Sequence, residues 1–200
     1  MAFTYFFRDL QTLECIRDYV LPFLRSRRYI RIWDAGCAMG PEPYSLAIIF
    51  RENMGATFRN VTIFATDVDE SGRFGEIIRR GVYPQEQVKR IPREVFERYF
   101  RENGNPGHFE IAEEIKERVR YRRHDLLSLE PIREDLDLIL CKNVLLHFSE
   151  EERISVIRMF HEALGKEGFF VTEQTQEMPA GAGGLFLQVV PNARVFRKIG

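Results

Sequence analysis

Two short stretches carry the residues best suited to chemistry. In "RIWDAGCAMGPEPYSLAII", Asp34 and Gly36 end a β-branched and aromatic run, Gly40 follows in the loop, and an apolar-periodic segment restarts after Pro41 and Pro43. In "FATDVD", Asp67 ends a second strand-like run. Glycine turns at the carboxyl end of a strand let backbone approach a ligand closely. The spacing D-x-G-x-x-x-G lacks the glycine set of a dinucleotide site, so no pyrophosphate is expected at the helix N-terminus. Asp34 would repel a phosphate and attract an ammonium group, while Asp67 can accept hydrogen bonds from both hydroxyls of a ribose. Together they suit adenosine carrying an amino acid. Either aspartate alone could instead cap the helix that follows it; two acids ending consecutive strands favour the ligand.

Such loops need a βαβ scaffold, and the flanking sequence supplies one. "YIRIWDAG" and "VTIFATDVD" read as strands, with "PYSLAIIFRENMG" between them as a helix opened at Pro43 and closed near Gly55. Upstream, Leu10, Leu13, Ile16, Val20, Phe23 and Leu24 recur at helical spacing, and Pro22 should loosen that helix near its end. Downstream, residues 70–80 and "IPREVFERYF" read as helical before the breaker cluster "ENGNPGHF". "RVRYRRHDL", "DLILCKN" and "GFFVTEQ" read as strands. Ser149 and Glu152 form a capping box for a helix with Ile154, Ile157, Phe160 and Leu164 on one face and Gly165 as its stop. "PAGAGG" reads as a flexible link, and "LFLQVV" with "ARVFRKI" as a closing hairpin around Pro191 and Asn192. This alternation predicts an α/β fold with a doubly wound sheet.

With 200 residues and 44% hydrophobic content, the chain can fill one core, in which Trp33 should pack. Its 29 lysines and arginines nearly cancel 30 aspartates and glutamates, so nothing global draws it to nucleic acid. Arginine clusters at 25–28, 79–80 and 120–123 read as solvated faces, with an acidic helical partner as the alternative. Cys15, Cys37 and Cys141 have no ligand spacing and read as buried thiols in a reducing compartment; His108 and His161 likewise suggest no metal. Arg8 and Asp9 interrupt any signal-peptide core, and no run reaches the ~18 apolar residues of a membrane span. A soluble, cytoplasmic protein without direct membrane insertion is expected.

The motifs "FTYFFRD", "RIWDAGCAMGPEPYSLA", "FATDVD", "GVYP", "ERYF", "VRYRRHDLL", "LILCKNVLLHF" and "GFFVTEQ" occur in this order along essentially the whole chain. In order and spacing they resemble the chemotaxis-receptor methyltransferases, the CheR family. The resemblance implies the Rossmann-like fold of S-adenosylmethionine-dependent methyltransferases, a mainly parallel seven-stranded sheet with one antiparallel strand. A single domain would span 1–200, with an amino-terminal helical segment, 1–28, covering the cofactor site and a small inserted subdomain at approximately 104–123. In that subdomain "FEIAEEIKERV" is charged enough to be partly helical.

The implied cofactor is S-adenosylmethionine, giving S-adenosylhomocysteine, and the implied substrate is a glutamate side chain of a chemoreceptor-like protein. Thr4 and Arg8 would line the site from the amino-terminal segment. Gly36, neighbouring loop residues and Glu42 would hold the methionine portion or shape the helix start. Asp67 would bind the ribose, Asn143 would lie beside the methyl donor, and Asp125 with Leu126 would meet the adenine edge. Asp125 stands where the family pattern has asparagine, so it can accept from the exocyclic amine but cannot donate.

Methyl transfer from a sulfonium to a carboxylate needs no general base, because glutamate, with a reference pKa of about 4.3, is already ionised. Positioning and desolvation should dominate. Arg8 is expected to hold the acceptor carboxylate in a fork, the alternative being a surface pair with Asp9 or Glu14. The tyrosine of the family's "NVxIYF" motif is replaced by His147 in "NVLLHF". Histidine can donate one hydrogen bond or act as a base for a hydroxyl, amine or thiol acceptor, or simply be a satisfied junction residue. With "FTYFFRD" beginning at residue 3, the helical domain that precedes this motif in the family and helps recognise the receptor is expected to be missing. Three readings follow: a CheR-type enzyme acting on a protein carboxylate, a methyltransferase acting on a small molecule, and a non-catalytic cofactor-binding regulatory module.

Overall fold

The structure is a computed structural model and describes residues 4–200; Phe3 of the opening motif lies outside the described residues. Among the described residues ten strands form in chain order: β1 (Ile30–Ala35), β2 (Val61–Asp67), β3 (Val82–Pro84), β4 (Phe100–Glu102), β5 (His108–Ile111), β6 (Val119–Arg123), β7 (Leu136–Leu140), β8 (Leu164–Val171), β9 (Phe186–Gln188) and β10 (Val195–Lys198). Seven make one sheet in the order β6-β2-β1-β7-β8-β10-β9. Every pairing from β6 to β8 is parallel, and β10 runs antiparallel to both β8 and β9. This is the doubly wound, mainly parallel sheet with one antiparallel strand expected from the sequence. β9 and β10 close it as the expected hairpin.

Burial on both faces explains the continuous apolar runs of the central strands. All of β7 is buried, including Asp137, which accepts from the Arg31 N–H at 2.7 Å and pairs with Arg27 at 2.7 Å. On one face Ile32, Ile63 and Leu138 pack with Leu46 and Phe50 of the helix Pro41–Met54 and with Leu13 and Ile16 of the amino-terminal helix. On the other, Trp33, Ile139 and Phe170 pack with Ile157 and Phe160 of the helix Glu150–Ala163. Trp33 is fully buried as expected; its indole N–H donates to Thr66 Oγ1 at 2.8 Å.

Several boundaries differ from the sequence reading. Helix Pro41–Met54 starts at Pro41 rather than Pro43 and closes at Gly55. The amino-terminal helix widens into a π turn, Ile16–Val20, just before Pro22, which cannot donate to the preceding turn. Cys15 is half-buried, unlike Cys37 and Cys141. The capping box of Ser149 and Glu152 is formed, but the helix ends at Ala163 and passes directly into β8; the left-handed residue there is Glu167, not Gly165. "PAGAGG" lies in a 3₁₀ helix, Ala180–Leu185, with Ala182 buried.

The small subdomain is also placed differently. Its sheet, β3-β5-β4, is antiparallel and draws on residues 82–111, while Val119–Arg123 belongs to the main sheet beside β2. The short helix Glu113–Lys116 forms where the charged segment was expected to be partly helical. This small sheet braces the amino-terminal segment. Phe6 is buried edge-on against Tyr83 and Phe100, at centroid distances of 5.0 and 5.1 Å, and its N–H donates to Gln87 O at 3.2 Å.

Candidate functional site

A cavity of about 880 Å³ opens at the carboxyl ends of β1, β2 and β7, the crevice where doubly wound sheets bind ligands. Thr4, Arg8, Gly36, Glu42, Asp67, Asp125, Leu126, Asn143 and His147 all line it. Asp34 does not, and this corrects the expectation that it meets the ligand. It is fully buried, and among the described residues neither carboxylate oxygen has a hydrogen-bond partner. Burial first, then the Glu42 charge, raise its carboxyl well above the usual range, with Lys142 opposing.

The glycine loop has two jobs split between its glycines. Gly36 lines the cavity at φ 103°, its N–H donating to Thr66 O at 2.8 Å, and an added Cβ would fall 2.1 Å from Val144 Cγ2. Gly40 also has φ 103°, but it faces inward, where a Cβ would meet the Tyr83 hydroxyl at 2.6 Å and Ile78 Cγ1 at 2.7 Å. Close packing, not ligand approach, requires glycine at 40.

Asp67, at the last position of β2, accepts from the Ala38 N–H at 2.9 Å and the Asp69 N–H at 3.1 Å, one on each oxygen. Each oxygen keeps a second lone pair for a hydroxyl. The helix-capping role weighed for Asp67 belongs to Asp69, which accepts from the N–H groups of Phe74 at 2.9 Å and Arg73 at 3.3 Å and from the Tyr121 hydroxyl at 3.0 Å. That is why the next helix, Phe74–Arg80, begins later than residue 70. Asp125 spends one oxygen on the Leu127 N–H at 2.9 Å, capping the short turn Leu126–Ser128 beside the cavity.

Past β7 the chain turns sharply. Asn143 is left-handed at φ 57°, and its N–H donates to Glu173 Oε2 at 3.0 Å. His147 ends a 3₁₀ turn, Leu145–His147, and is exposed at the cavity wall.

Opposite, the amino-terminal segment is bent on either side of Arg8 by left-handed Phe7 and Asp9, at φ 57° and 55°. Strain of this kind persists where surroundings overdetermine it. The Phe7 N–H donates to Ser45 Oγ at 2.8 Å, and the Asp9 carboxylate accepts from the Thr12 hydroxyl at 2.6 Å. Glu14 lies 3.8 Å from Arg17.

Lys142 was missed by the sequence reading. Its buried ammonium lies 3.0 Å from Glu42 Oε2 and donates to Arg8 O at 3.2 Å. The signal available was a lysine directly after an apolar strand, in "LILCKN", a place where an unpaired charge would be costly.

This lining fits S-adenosylmethionine. Glu42 and Asp67 supply carboxylates for an ammonium and for ribose hydroxyls, Gly36 lets backbone close in, and Val68, Leu126 and Leu127 offer an apolar wall to a base.

The family model described as "CheR methyltransferase, SAM binding domain" matches residues 2–190. Chemotaxis protein methyltransferase 2 of Pseudomonas aeruginosa is 32% identical over 170 residues, covering 84% of this chain and 60% of that relative. The chemotaxis protein methyltransferase of Borreliella burgdorferi is 30% identical over 177 residues, covering 84% and 62%. That of Listeria monocytogenes is 33% identical over 168 residues, covering 82% and 60%. The chain thus spans 60–62% of the length of these relatives. Among solved structures, the rRNA methyltransferase aviRa from Streptomyces viridochromogenes shares the fold, with a TM-score of 0.60 at 14% identity over 99% of this chain and 87% of that one. The chain belongs to the CheR methyltransferase family, within its S-adenosylmethionine-binding domain.

Proposed function

We propose that this chain catalyses S-adenosylmethionine-dependent methyl transfer to a side-chain carboxylate, a glutamate of a chemoreceptor-like protein in the cytoplasm. The observation that carries the reading is the meeting of Arg8 with Asp67 and Asn143 on one cavity, from three distant parts of the chain. Among the described residues, no helix is long and apolar enough to cross a membrane.

The cofactor, when bound, would supply a methyl group whose cationic sulfur is the leaving group, departing as a neutral thioether when an acceptor oxygen bonds to the methyl carbon. Asp67 holds the ribose with the lone pairs that Ala38 and Asp69 leave open. Glu42 balances the ammonium end. Arg8 presents a planar guanidinium that can grip one edge of an acceptor carboxylate and leave an oxygen lone pair to attack. A glutamate acceptor, ionised above its reference pKa of about 4.3, gives up no proton, so no base is required.

Arg8→Ala tests this directly. Transfer of labelled methyl to receptor fragments should fall on the order of 10²–10³-fold, while S-adenosylhomocysteine affinity stays within about fivefold. Undiminished transfer would remove Arg8 from its role.

A second reading has its own observation, the exposed His147 on the cavity wall where the family pattern carries tyrosine. A base there would serve a hydroxyl, amine or thiol of a small molecule. In His147→Phe, transfer to a carboxylate should survive within about tenfold, whereas base-dependent transfer should drop by roughly 10²–10⁴.

A further inference from the structure

Lys142 is a charged residue whose burial the cofactor reading leaves unexplained. Its side chain is 1% exposed, and it sits where three separately encoded pieces meet: the end of β7, the first turn of helix Pro41–Met54, and the segment bearing Arg8. Nζ lies 3.0 Å from Glu42 Oε2 and 3.8 Å from Asp9 Oδ2, and donates to the carbonyl oxygen of Arg8 at 3.2 Å. Burial works against the ammonium, but the carboxylates of Glu42 and Asp9 outweigh it and raise its pKa above the usual lysine value. The charge is therefore present, and its donors are spent on Arg8 and its neighbours.

A buried ion pair of this kind contributes little to stability over an apolar side chain of similar volume; its better-attested use is to fix one arrangement among several. The arrangement here is the bend at Arg8. Phe6 and Phe7 anchor the segment upstream through their buried rings and the Phe7 N–H bond to Ser45. Rings alone fix where the segment lies, not how the peptide at Arg8 is turned between two left-handed neighbours. The Lys142 contact falls on that peptide.

We infer that Lys142 is a positioning residue: by clamping the Arg8 carbonyl and the Glu42 carboxylate together, it sets the direction in which Arg8 enters the cavity. This rests on the reading of Arg8 as the group that holds the acceptor. It makes the acceptor side and the cofactor side of the cavity share one ammonium, so neither can be repositioned alone.

The test is hydrogen–deuterium exchange read by mass spectrometry on the wild type, Lys142→Met and Lys142→Arg, with calorimetric titration of S-adenosylhomocysteine alongside. In Lys142→Met the amides of residues 5–13 should exchange at least tenfold faster while those of β1, β2 and β7 stay within twofold. Lys142→Arg, which keeps a cation and donors, should restore the slow exchange to within threefold. Unchanged exchange over 5–13 in Lys142→Met overturns the inference. So does a loss of protection throughout the chain. Where Lys142→Met does not fold, Lys142→Gln takes its place, and failure of both to fold assigns the lysine to stability and overturns the inference too. Failure of the methyltransferase reading is distinguishable, since it shows as wild-type protein that does not bind S-adenosylhomocysteine, whatever the exchange pattern.

Discussion

Asp34 and Asp67 look interchangeable in the sequence, each an acid at the end of a strand in consecutive βα units, yet the structure sends one inward and the other to the cavity. The strand register gives the reason. Asp34 pairs level with Ala65, so Asp67 stands two residues further toward the carboxyl edge. At roughly 3.3 Å per residue, that carries its carboxylate about 7 Å beyond the level of Asp34. Asp34 stays in the sheet interior, while Asp67 reaches the rim and stitches the glycine loop to β2. An acid near a strand end is thus a ligand group only if it is among the last residues of its own strand relative to its neighbours.

The sharpest way to break this comparison is to remove each acid and titrate the cofactor. Asp67→Ala should lower S-adenosylmethionine affinity on the order of a hundredfold or more, through two charge-assisted hydrogen bonds of roughly 1.5–3 kcal/mol each. The glycine loop should also loosen, since the Ala38 and Asp69 N–H groups lose their acceptor. Equal losses in Asp67→Ala and Asp34→Asn would place both acids on the ligand and end the distinction.

The two loop glycines sharpen it at an intermediate scale. Both have φ 103° and both would clash with an added Cβ, at 2.1 Å for Gly36 and 2.6 Å for Gly40. Strain and overpacking together should cost each alanine variant about 2–4 kcal/mol in urea denaturation. Only Gly36 lines the cavity, so only Gly36→Ala should also lose cofactor affinity, by about tenfold, when the two are titrated under conditions where both are folded. A matching loss in Gly40→Ala would mean that loop position, not the residue facing the ligand, governs binding.

Local patterns were legible because their causes are local. The capping box at Ser149, the alternation of "RVRYRRHDL" and the buried run of β7 each follow from backbone period and side-chain polarity over a few residues. Gly36 and Asp67 could be assigned to one crevice because they lie at the ends of strands that the fold class makes parallel neighbours, whereas Asn143 was placed there by the family resemblance. Other features depend on contacts far apart in the chain. Lys142 makes sense only once the Arg8 carbonyl is known to lie beside it. The burial of Asp34 depends on a register that strand patterns do not give. The small subdomain was expected, but the bounds of its sheet were not legible, because β3 and β4 have three residues each, too few to show a period, and the more visible strand-like stretch, Val119–Arg123, belongs to the main sheet. Family resemblance aided most where side chains converge from separate elements, as with Thr4 and Arg8, which no periodicity would have brought to the cavity.

Asp34→Asn should have the smallest effect on affinity, within about threefold, and its mark should appear in the pH dependence of stability instead. The Asp34 carboxyl is raised well above its ordinary 3.8, by burial first and then by the charge on Glu42. A carboxyl that binds its proton more tightly folded than unfolded stabilises the fold in full below the unfolded pKa, and that contribution is lost as the pH rises toward the folded value. Wild-type unfolding free energy should therefore carry a component that declines as the pH rises from about 4, by at most about 1.4 kcal/mol per pH unit. Asparagine fills the same space and does not titrate, so the variant lacks that component and should gain on the wild type as the pH rises. Urea denaturation of both proteins between about pH 5 and 8 measures the difference. A difference that stays flat across that range would show Asp34 ionised in the folded protein, which would require a donor to its orphaned oxygens and restore its likeness to Asp67.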